Sequence, residues 1–199
     1  MRVKNYILNN AFIFDAIRWI LEDGYKGEIA IIQGEIVPLG GGILDLGCGT
    51  GIFAKYFDPL TYCGIDSNYN YIKRAKYKNK GYNFLHMDAQ TMPFNDKHFD
   101  VCFVSGVFHH MDDNVSEKVL REIARVFKYK GRFFVWEDIK TLRKYNIIGR
   151  IIHHFDEGDY IRTKEKYGDL LGNFFKIEKQ YFMQSGFMDY IVFHCEKTW

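Results

Sequence analysis

A run of closely spaced glycines follows a short apolar stretch near residue 45, and together they could hold a ligand. Residues 43–46 predict a buried strand, and the sequence GCGTG at 47–51 predicts a tight turn into a helix that continues to about Tyr56. Because glycine lacks Cβ, a ligand can lie directly on the main chain there. The N–H groups at a helix start favour negative or polar ligand atoms. The turn therefore predicts a cradle of the kind that holds nucleotides.

Three aspartates stand where predicted strands end. Asp45 closes the strand before the turn, Asp66 lies nineteen residues after Gly47 at the end of a second strand, and Asp88 ends a third. A carboxylate at Asp66 can accept both hydrogen bonds of a ribose diol. Aspartates that follow strands also serve as helix N-caps or turn residues, and that alternative stays open at this stage.

Two adjacent histidines, His109 and His110, follow a fourth predicted strand. A histidine there could act as a general base on an oxygen or nitrogen acceptor, or contact the acceptor; the alternative is a pair that only starts a helix. A second cluster could hold a metal ion, but solvated charge is the preferred interpretation and no metal site is predicted. Its members are His153, His154, Asp156, Glu157 and Asp159.

The rest of the pattern shows which elements position these residues. Asn114 and Glu117 stand at capping-box spacing at the start of one helix, and Gly131 ends that helix before a fifth strand. Apolar spacing predicts helices over 6–21, 68–80 and 114–127, and favours helix over strand at 28–37. Strands are predicted at 62–65, 82–86, 99–104 and 132–136, and a terminal hairpin at 174–182 and 189–195.

The alternation of strands and helices predicts a parallel sheet with helices on both faces, the doubly wound α/β class. Ligands on such sheets bind beyond the carboxyl ends of the strands. That rule gathers the glycine turn, the three aspartates and the segment 105–110 on one rim. The terminal hairpin predicts that the sheet finishes antiparallel.

The glycines fall at 47, 49 and 51, and Ile52 stands where the nicotinamide dehydrogenase pattern G-x-G-x-x-G requires glycine. The sequence LDLGCGTG at 44–51 instead resembles the first motif of the class I S-adenosylmethionine-dependent methyltransferases. The resemblance covers roughly residues 40–138 and implies their fold, a Rossmann-like and mostly parallel seven-stranded sheet. Further stretches that agree with it are CGIDSN at 63–68, FLHMDAQTMPF at 84–94, FDVCFVSGVFHHMDD at 99–113 and LREIARVFKYKGRFFVWE at 120–137.

The resemblance also implies a role for each rim residue toward S-adenosylmethionine. Asp45 would meet the ammonium group, Asp66 the ribose, and Asp88 with Ala89 the adenine edge. The backbone around Ser105 would complete the methionine pocket. The cofactor-binding set is Asp45, Gly47, Cys48, Gly49, Asp66, Ser67, Asp88, Ala89 and Ser105, with Cys48 interpreted as a small packed residue and not a reactive thiol.

Length and composition predict one domain over residues 1–199, with 47% hydrophobic residues and a formal charge of +2. Within it we expect a helical segment at 1–40, a cofactor-binding core at 41–138, an acceptor-side insertion at 139–173 and the hairpin at 174–199. Six apolar residues of the insertion could form a lid or plain core: Tyr145, Ile148, Ile151, Ile152, Phe155 and Tyr160.

The small charge gives no reason to expect nucleic acid, and the basic run at 73–80 is interpreted as a solvated helix end, with a phosphate-binding patch as the alternative. Four scattered cysteines and the lack of a signal peptide or membrane span predict a cytoplasmic protein. The function expected from the resemblance is methyl transfer by in-line displacement to a small molecule. A non-catalytic cofactor-binding scaffold is the alternative, and a nicotinamide-dependent reductase ranks last. The oligomeric state stays open.

Overall fold

The computed structural model describes residues 11–140, 143, 146–147 and 160–198, and residues 11–14 as backbone only. The described helices are α1 (Ala11–Leu21), α2 (Lys26–Ile31), α3 (Tyr69–Lys78), α4 (Asp113–Val126) and α5 (Lys164–Gly172). The strands are β1 (Ile43–Leu46), β2 (Tyr62–Asp66), β3 (Asn83–His86), β4 (Phe99–Ser105), β5 (Phe127–Asp138), β6 (Lys176–Ser185) and β7 (Met188–Glu196).

The strands form one seven-stranded sheet in the order β3-β2-β1-β4-β5-β7-β6. The first five strands pair in parallel, and β7 is antiparallel to both β5 and β6. The fold class predicted from the sequence is therefore confirmed, including the antiparallel finish. The strand order reverses at β1, because β2 and β3 lie on one side of it and β4 on the other, and the carboxyl ends of β1 and β4 therefore open a crevice.

Each face of the sheet buries its own apolar cluster, because successive side chains of a strand point to opposite faces. Leu44 and Leu46 of β1 pack in the cluster that α4 and α5 cover. Ile43 packs in the other cluster, with residues of α2 and α3. The two clusters fix the sheet between its helices and hold the strand ends in register.

The segment after the glycine turn departs from the prediction. In place of a helix to about Tyr56 there is a single 3-10 turn, Ala54–Tyr56. Phe57 is already extended (φ −114°, ψ 160°), and its ring stacks on Phe103 at 5.4 Å and on Tyr62 at 5.6 Å. These aromatic contacts outweigh the few hydrogen bonds that a short helix offers. The alternation is also incomplete after β3, because residues 87–98 form turns.

The start and end of α4 also differ from the prediction. Asp112 is the N-cap and accepts from the N–H of Val115 at 2.8 Å, so Asn114 lies inside the helix and the expected capping box does not form. At the other end the helix passes directly into β5 at Phe127, and Gly131 lies within that strand. Because Phe127 pairs in parallel with Phe99, β5 begins five residues before the predicted start at Arg132.

Helix α1 turns polar side chains toward the protein. Asp15 accepts from the hydroxyl of Thr50 and lies 3.3 Å from Nε of Arg74 and 3.0 Å from Nζ of Lys78. Ile17 and Ile20 share one face of the helix, as their spacing of three residues indicates, and both are exposed. The amphipathic pattern is present, but its apolar side faces outward.

The helical interpretation of 28–37 is confirmed by α2 and the π-helical turn Ile32–Ile36 that continues it. No described helix is long and apolar enough to cross a membrane. Tyr160 of the proposed insertion is exposed. The other residues predicted to matter in that segment lie outside the described residues: Tyr145, Ile148, Ile151, Ile152, Phe155 and the cluster at His153, His154, Asp156, Glu157 and Asp159.

Candidate active site

The glycine turn is folded back onto the end of β2. The N–H groups of Gly47 and Cys48 both donate to the carbonyl of Ile65, at 2.8 and 2.9 Å, and the N–H of Gly51 donates to the carbonyl of Cys48. This closed turn brings Asp66 directly under the glycines. The sequence prediction that the turn and Asp66 share one rim therefore agrees with the structure.

Gly47 and Gly49 are both left-handed, with φ of +74° and +54°, but they serve different purposes. A Cβ on Gly47 would lie 2.4 Å from Cγ2 of Val107, so this glycine lets the loop after β4 approach the turn. A Cβ on Gly49 would meet no atom within 4 Å. Gly49 thus exposes bare backbone to open space, which is the arrangement that a ligand lying on the main chain needs.

The carboxylate of Asp66 is held in place by two backbone donors. The N–H of Gly49 donates to Oδ2 at 2.9 Å, and the N–H of Asn68 donates to Oδ1 at 2.7 Å. Burial raises the pKa of Asp66, and the two N–H groups oppose that shift. Each oxygen retains a lone pair for a further donor, so the group can accept from a pair of hydroxyls.

Asp45 lies below the turn and is buried. Its Oδ2 accepts a 2.5 Å hydrogen bond from the hydroxyl of Tyr62. This hydroxyl lies close to Gly64, where a Cβ would be 2.9 Å from its oxygen. Burial raises the pKa of Asp45 to about 7, although the hydrogen bond from Tyr62 works against that rise. Asp45 is thus beside the glycines as predicted, with a phenol as its partner that the sequence analysis missed.

The predicted adenine side is more open. Asp88 is exposed, and its Oδ1 accepts from the N–H of Gln90 at 2.8 Å. Ala89 is half-buried, and Ser67 is exposed at the end of β2. His86 fixes this corner, since its Nε2 lies 2.9 Å from the carbonyl oxygen of Ser67.

Ser105 stands at the end of β4, where its Oγ accepts from Nε1 of Trp136 at 2.7 Å. The next residue, Gly106, has φ +61° and donates its N–H to the carbonyl of Trp136. The chain therefore turns sharply over the crevice and leads into residues 107–110. This loop faces the glycine turn through Val107.

The two predicted histidines differ in environment. His109 is buried, and its Nδ1 lies 3.0 Å from Oε2 of Glu137, while Nε2 lies 3.6 Å from Oδ2 of Asp138. Glu137 also accepts the N–H groups of Val107, Phe108 and His109, at 2.9, 2.8 and 3.2 Å. His110 is exposed. Glu137 thus binds the loop after β4 as a unit.

Arg162 secures the other side of the same loop. Its guanidinium is buried and donates to the carbonyl oxygens of Phe108 and Met111, at 2.7 and 2.8 Å, and to Oδ1 of Asp113. The loop is therefore held through its N–H groups by one charged side chain and through its carbonyl groups by another. Charge-assisted bonds of this kind are stronger than neutral ones.

Comparison with known proteins agrees with this geometry. The family model for the methyltransferase domain matches residues 44–135, the stretch from β1 to β5. Residues 44–135 form a class I methyltransferase domain. This domain type uses S-adenosylmethionine, which confirms the family and cofactor inferred from the sequence.

Curated relatives match the methyltransferase domain over part of their length. The demethylmenaquinone methyltransferase of Thermotoga maritima is 35% identical over 99 residues, which are 48% of this chain and 42% of that protein. The fatty-acid O-methyltransferase of Mycolicibacterium smegmatis is 35% identical over 107 residues, covering 49% of this chain and 37% of that protein. The chain therefore spans less than half the length of these relatives.

A solved structure supports the fold over a longer stretch. The N-methyltransferase NodS of Bradyrhizobium japonicum WM9, in complex with S-adenosyl-L-homocysteine, superposes with a TM-score of 0.68 at 13% identity. The match covers 89% of this chain and 87% of NodS. The likeness therefore extends beyond the segment that the family model recognises.

The space around Gly49 is open, and the carboxylate of Asp66 lies beside it. Open space above Gly49 and an acceptor group at Asp66 fit a ligand with a ribose diol lying on the turn. Cys48 is buried, and burial raises the pKa of its thiol well above the usual range, so it is a packing residue. All four cysteines are free and buried.

Sequence reasoning missed four residues of the candidate site: Glu137, Asp138, Arg162 and Tyr62. Glu137 and Asp138 end β5, and the rule that selected the ends of the first four strands applies equally to the fifth. That signal was available. Tyr62 and Arg162 had none, because each acts through a contact with a distant segment, 17 residues away for Tyr62 and 54 for the bond of Arg162 to Phe108.

Proposed function

We propose that the chain is a S-adenosylmethionine-dependent methyltransferase that acts on a small molecule. The observation that carries the proposal is the pairing of Asp66 with the N–H of Gly49 below an open stretch of backbone. When bound, S-adenosylmethionine supplies an electrophilic methyl group on its sulfonium. The chain itself has to position an acceptor in line with that group and exclude water.

The rim residues have distinct proposed roles. Asp66 accepts from the ribose hydroxyls, and Ser67 lies beside it. Asp88 and Ala89 read the adenine edge. Asp45 meets the ammonium group, with Tyr62 orienting its carboxyl. Backbone at Gly47, Cys48, Gly49 and Ser105 receives the methionine portion. The buried position of Asp45 beside the turn supports its role, since an ammonium group there would favour the ionised carboxylate.

On the acceptor side, His109 is proposed to position the loop after β4. Both of its ring nitrogens face carboxylates, of Glu137 and Asp138, which favours a fixed ring over one that turns toward an acceptor. His110 is exposed at the same rim and is the better placed of the two to contact the acceptor. Methyl transfer to a reactive acceptor does not need a general base.

The acceptor is proposed to be a small organic molecule. The named acceptors of the two relatives, demethylmenaquinone and a fatty acid, support a small-molecule substrate. We place the cofactor-binding part at 41–138 and the acceptor-binding elements at 1–40 and 139–173, within a single domain. Free, buried cysteines support a reducing compartment such as the cytoplasm.

Isothermal titration of the protein with S-adenosylmethionine and S-adenosylhomocysteine tests the cofactor proposal. We expect both to bind, and Asp66→Asn to weaken both at least tenfold, because an amide cannot accept at both positions. Glu117→Gln on the exposed side of α4 is the matched control and should bind as the unchanged protein does. Circular dichroism and thermal melting confirm that each variant is folded.

Two results would contradict the proposal. The first is a folded protein that binds neither ligand. The second is binding by Asp66→Asn that matches the unchanged protein. Cofactor binding without methyl transfer to any acceptor in a screen of quinols, fatty acids, phenols and amines would instead indicate the non-catalytic scaffold.

A further inference from the structure

Helix α1 exposes three large apolar side chains, although Asp15 of the same helix points inward. Trp19 is 60% exposed and lies one helical turn after Asp15, whereas Ile20 and Ile17, at 64% and 37%, lie further round the helix. On the inner side, Asp15 contacts Thr50, Arg74 and Lys78. Exposed clusters of large apolar side chains in a folded protein commonly mark a contact surface.

Cations border this apolar face. Trp19, Lys55, Arg74 and Lys78 line one groove of about 370 Å³, together with the ring of Tyr56. The segment 69–80, which contains α3, carries five basic residues and no acidic one. Asp15 is engaged by Arg74 and Lys78, and the nearby Asp23 is paired with Lys26 at 2.8 Å. The balance of charge around the groove is positive.

We propose that this amphipathic surface, formed by Ile17, Trp19 and Ile20 of α1 with Lys55 and the basic side chains of α3, binds an anionic lipid surface. A helix that exposes tryptophan and isoleucine side chains, with cations beside it, is typical of interfacial membrane helices. The apolar side chains enter the headgroup region, and the cations bind lipid phosphates around the groove.

The same observations disfavour two other occupants. RNA would use the cations, and its bases could stack on Trp19, but it would leave the exposed side chains of Ile17 and Ile20 without an apolar partner. A second copy of the chain could cover the apolar face, but a two-fold contact would bring the same basic groove of each copy close to its equivalent. The lipid surface satisfies the apolar and the charged parts together.

Co-sedimentation of the whole protein with vesicles tests the proposal. Vesicles made of equal parts phosphatidylglycerol and phosphatidylcholine should bind the protein, whereas vesicles of phosphatidylcholine alone should bind it much more weakly. Trp19→Gln and Ile20→Gln should each weaken binding about tenfold. Lys55→Glu with Lys73→Glu should abolish the preference for anionic vesicles.

Matched controls separate the surface from general stickiness. Leu60 is 93% exposed in a turn before β2, and Leu60→Gln should leave vesicle binding unchanged. Lys118 is exposed on α4, and Lys118→Glu is the control for charge. The titration with S-adenosylhomocysteine, which does not use this surface, should give the same affinity for all of these variants. A failure of the lipid-binding proposal can therefore be distinguished from a failure of the proposed function.

Three outcomes would overturn the proposal. One is no binding of the unchanged protein to anionic vesicles. Another is binding to a single-stranded RNA that the lysine changes abolish and Ile20→Gln does not, with no vesicle binding. The third is a dimer by light scattering that Ile20→Gln dissociates, which would assign the apolar face to a second copy.

Discussion

His109 and Glu137 form one hydrogen-bonded unit 28 residues apart in the sequence, with Nδ1 of the imidazole 3.0 Å from Oε2 of the carboxylate. The same carboxylate accepts three consecutive N–H groups, from Val107 to His109. Four donors thus converge on one fully buried group. The end of β5 thereby fixes the loop after β4, which faces the glycine turn.

Replacement of Glu137 by glutamine should destabilise the protein strongly. Either orientation of the amide points an NH2 group at two donors, because each carboxylate oxygen accepts from two of them. Losses of about 3–5 kcal/mol are typical when a buried ionic network is broken. Urea denaturation measures the change in unfolding free energy. Glu178→Gln, in an exposed pair with Arg132, is the control and should cost at most about 1 kcal/mol. Equal costs for the two variants would contradict the role of Glu137.

Tyr62→Phe should raise the pKa of Asp45 further. In the unchanged protein burial raises this pKa to about 7, and the phenol hydroxyl lowers it by stabilising the carboxylate. Removing the hydroxyl leaves the burial effect unopposed. Carbon-13 NMR of the aspartate carboxyls across pH reads the titration directly. Tyr82→Phe, which removes a hydroxyl bonded to the Phe57 carbonyl in the same cluster, should leave Asp45 unchanged. An unaltered Asp45 titration in Tyr62→Phe would refute the link.

Glu28 should make the protein less stable as pH rises. Burial, the charge of Glu22 and a hydrogen bond with Glu22 raise the pKa of Glu28 from 4.5 to about 8, and two carboxyls can share a hydrogen bond only when one is protonated. Since the folded state binds this proton more tightly, its stabilising effect is complete below about pH 4.5 and is lost as pH rises through about 8.

Glu28→Gln tests this dependence, because the amide can still donate to Glu22 and accept from the hydroxyl of Ser185, which lies 2.6 Å from Oε2. Urea denaturation at pH values from about 5 to about 9 gives the free energy of unfolding as a function of pH. This free energy should change less with pH in the variant, and at the alkaline end it should exceed that of the unchanged protein. Glu117→Gln, on the exposed side of α4, is the control, and its unfolding free energy should depend on pH as that of the unchanged protein does. The same dependence in Glu28→Gln would show that another group titrates.

Local patterns predicted the sheet and the position of Asp66 well. Strands β1, β2 and β4 are buried on both faces, so each appears in the sequence as a nearly continuous apolar run and can be recognised as a strand. Residues at the carboxyl end of a parallel strand lie on the rim by topology alone. Asp45 and Asp66 needed no other information.

Long-range contacts decided what the local patterns missed. Phe57 leaves the expected helix because its ring packs on Phe103 and Tyr62, and Glu137 acquires its role from a loop 28–30 residues earlier in the chain. Ile17 and Ile20 have the spacing of a core-facing helix, yet the ion pairs of Asp15 with α3 turn that side outward. A periodicity shows that two faces exist, and not which of them is buried.

Gly47→Ala and Gly49→Ala should fail in different ways. Both residues are left-handed, so alanine costs about 1–2 kcal/mol at either position. At Gly47 the new methyl would also lie 2.4 Å from Val107, so this variant should lose further stability, and Val107→Ala should restore that part. At Gly49 the methyl enters open space, so the protein should stay folded and lose affinity for S-adenosylhomocysteine instead.

Gly81→Ala is the control that isolates the ligand effect at Gly49. Gly81 has φ +91° and open surroundings, as Gly49 does, but it precedes β3 at the end of the strand away from the rim. Gly49→Ala and Gly81→Ala should therefore have similar melting temperatures, both well above that of Gly47→Ala. Of the two stable variants, isothermal titration should detect normal binding of S-adenosylhomocysteine only in Gly81→Ala. The methyl group of Gly49→Ala meets no protein atom, so a bound ligand is all that it could clash with. Full affinity in this variant would therefore mean that the cofactor does not lie on this glycine.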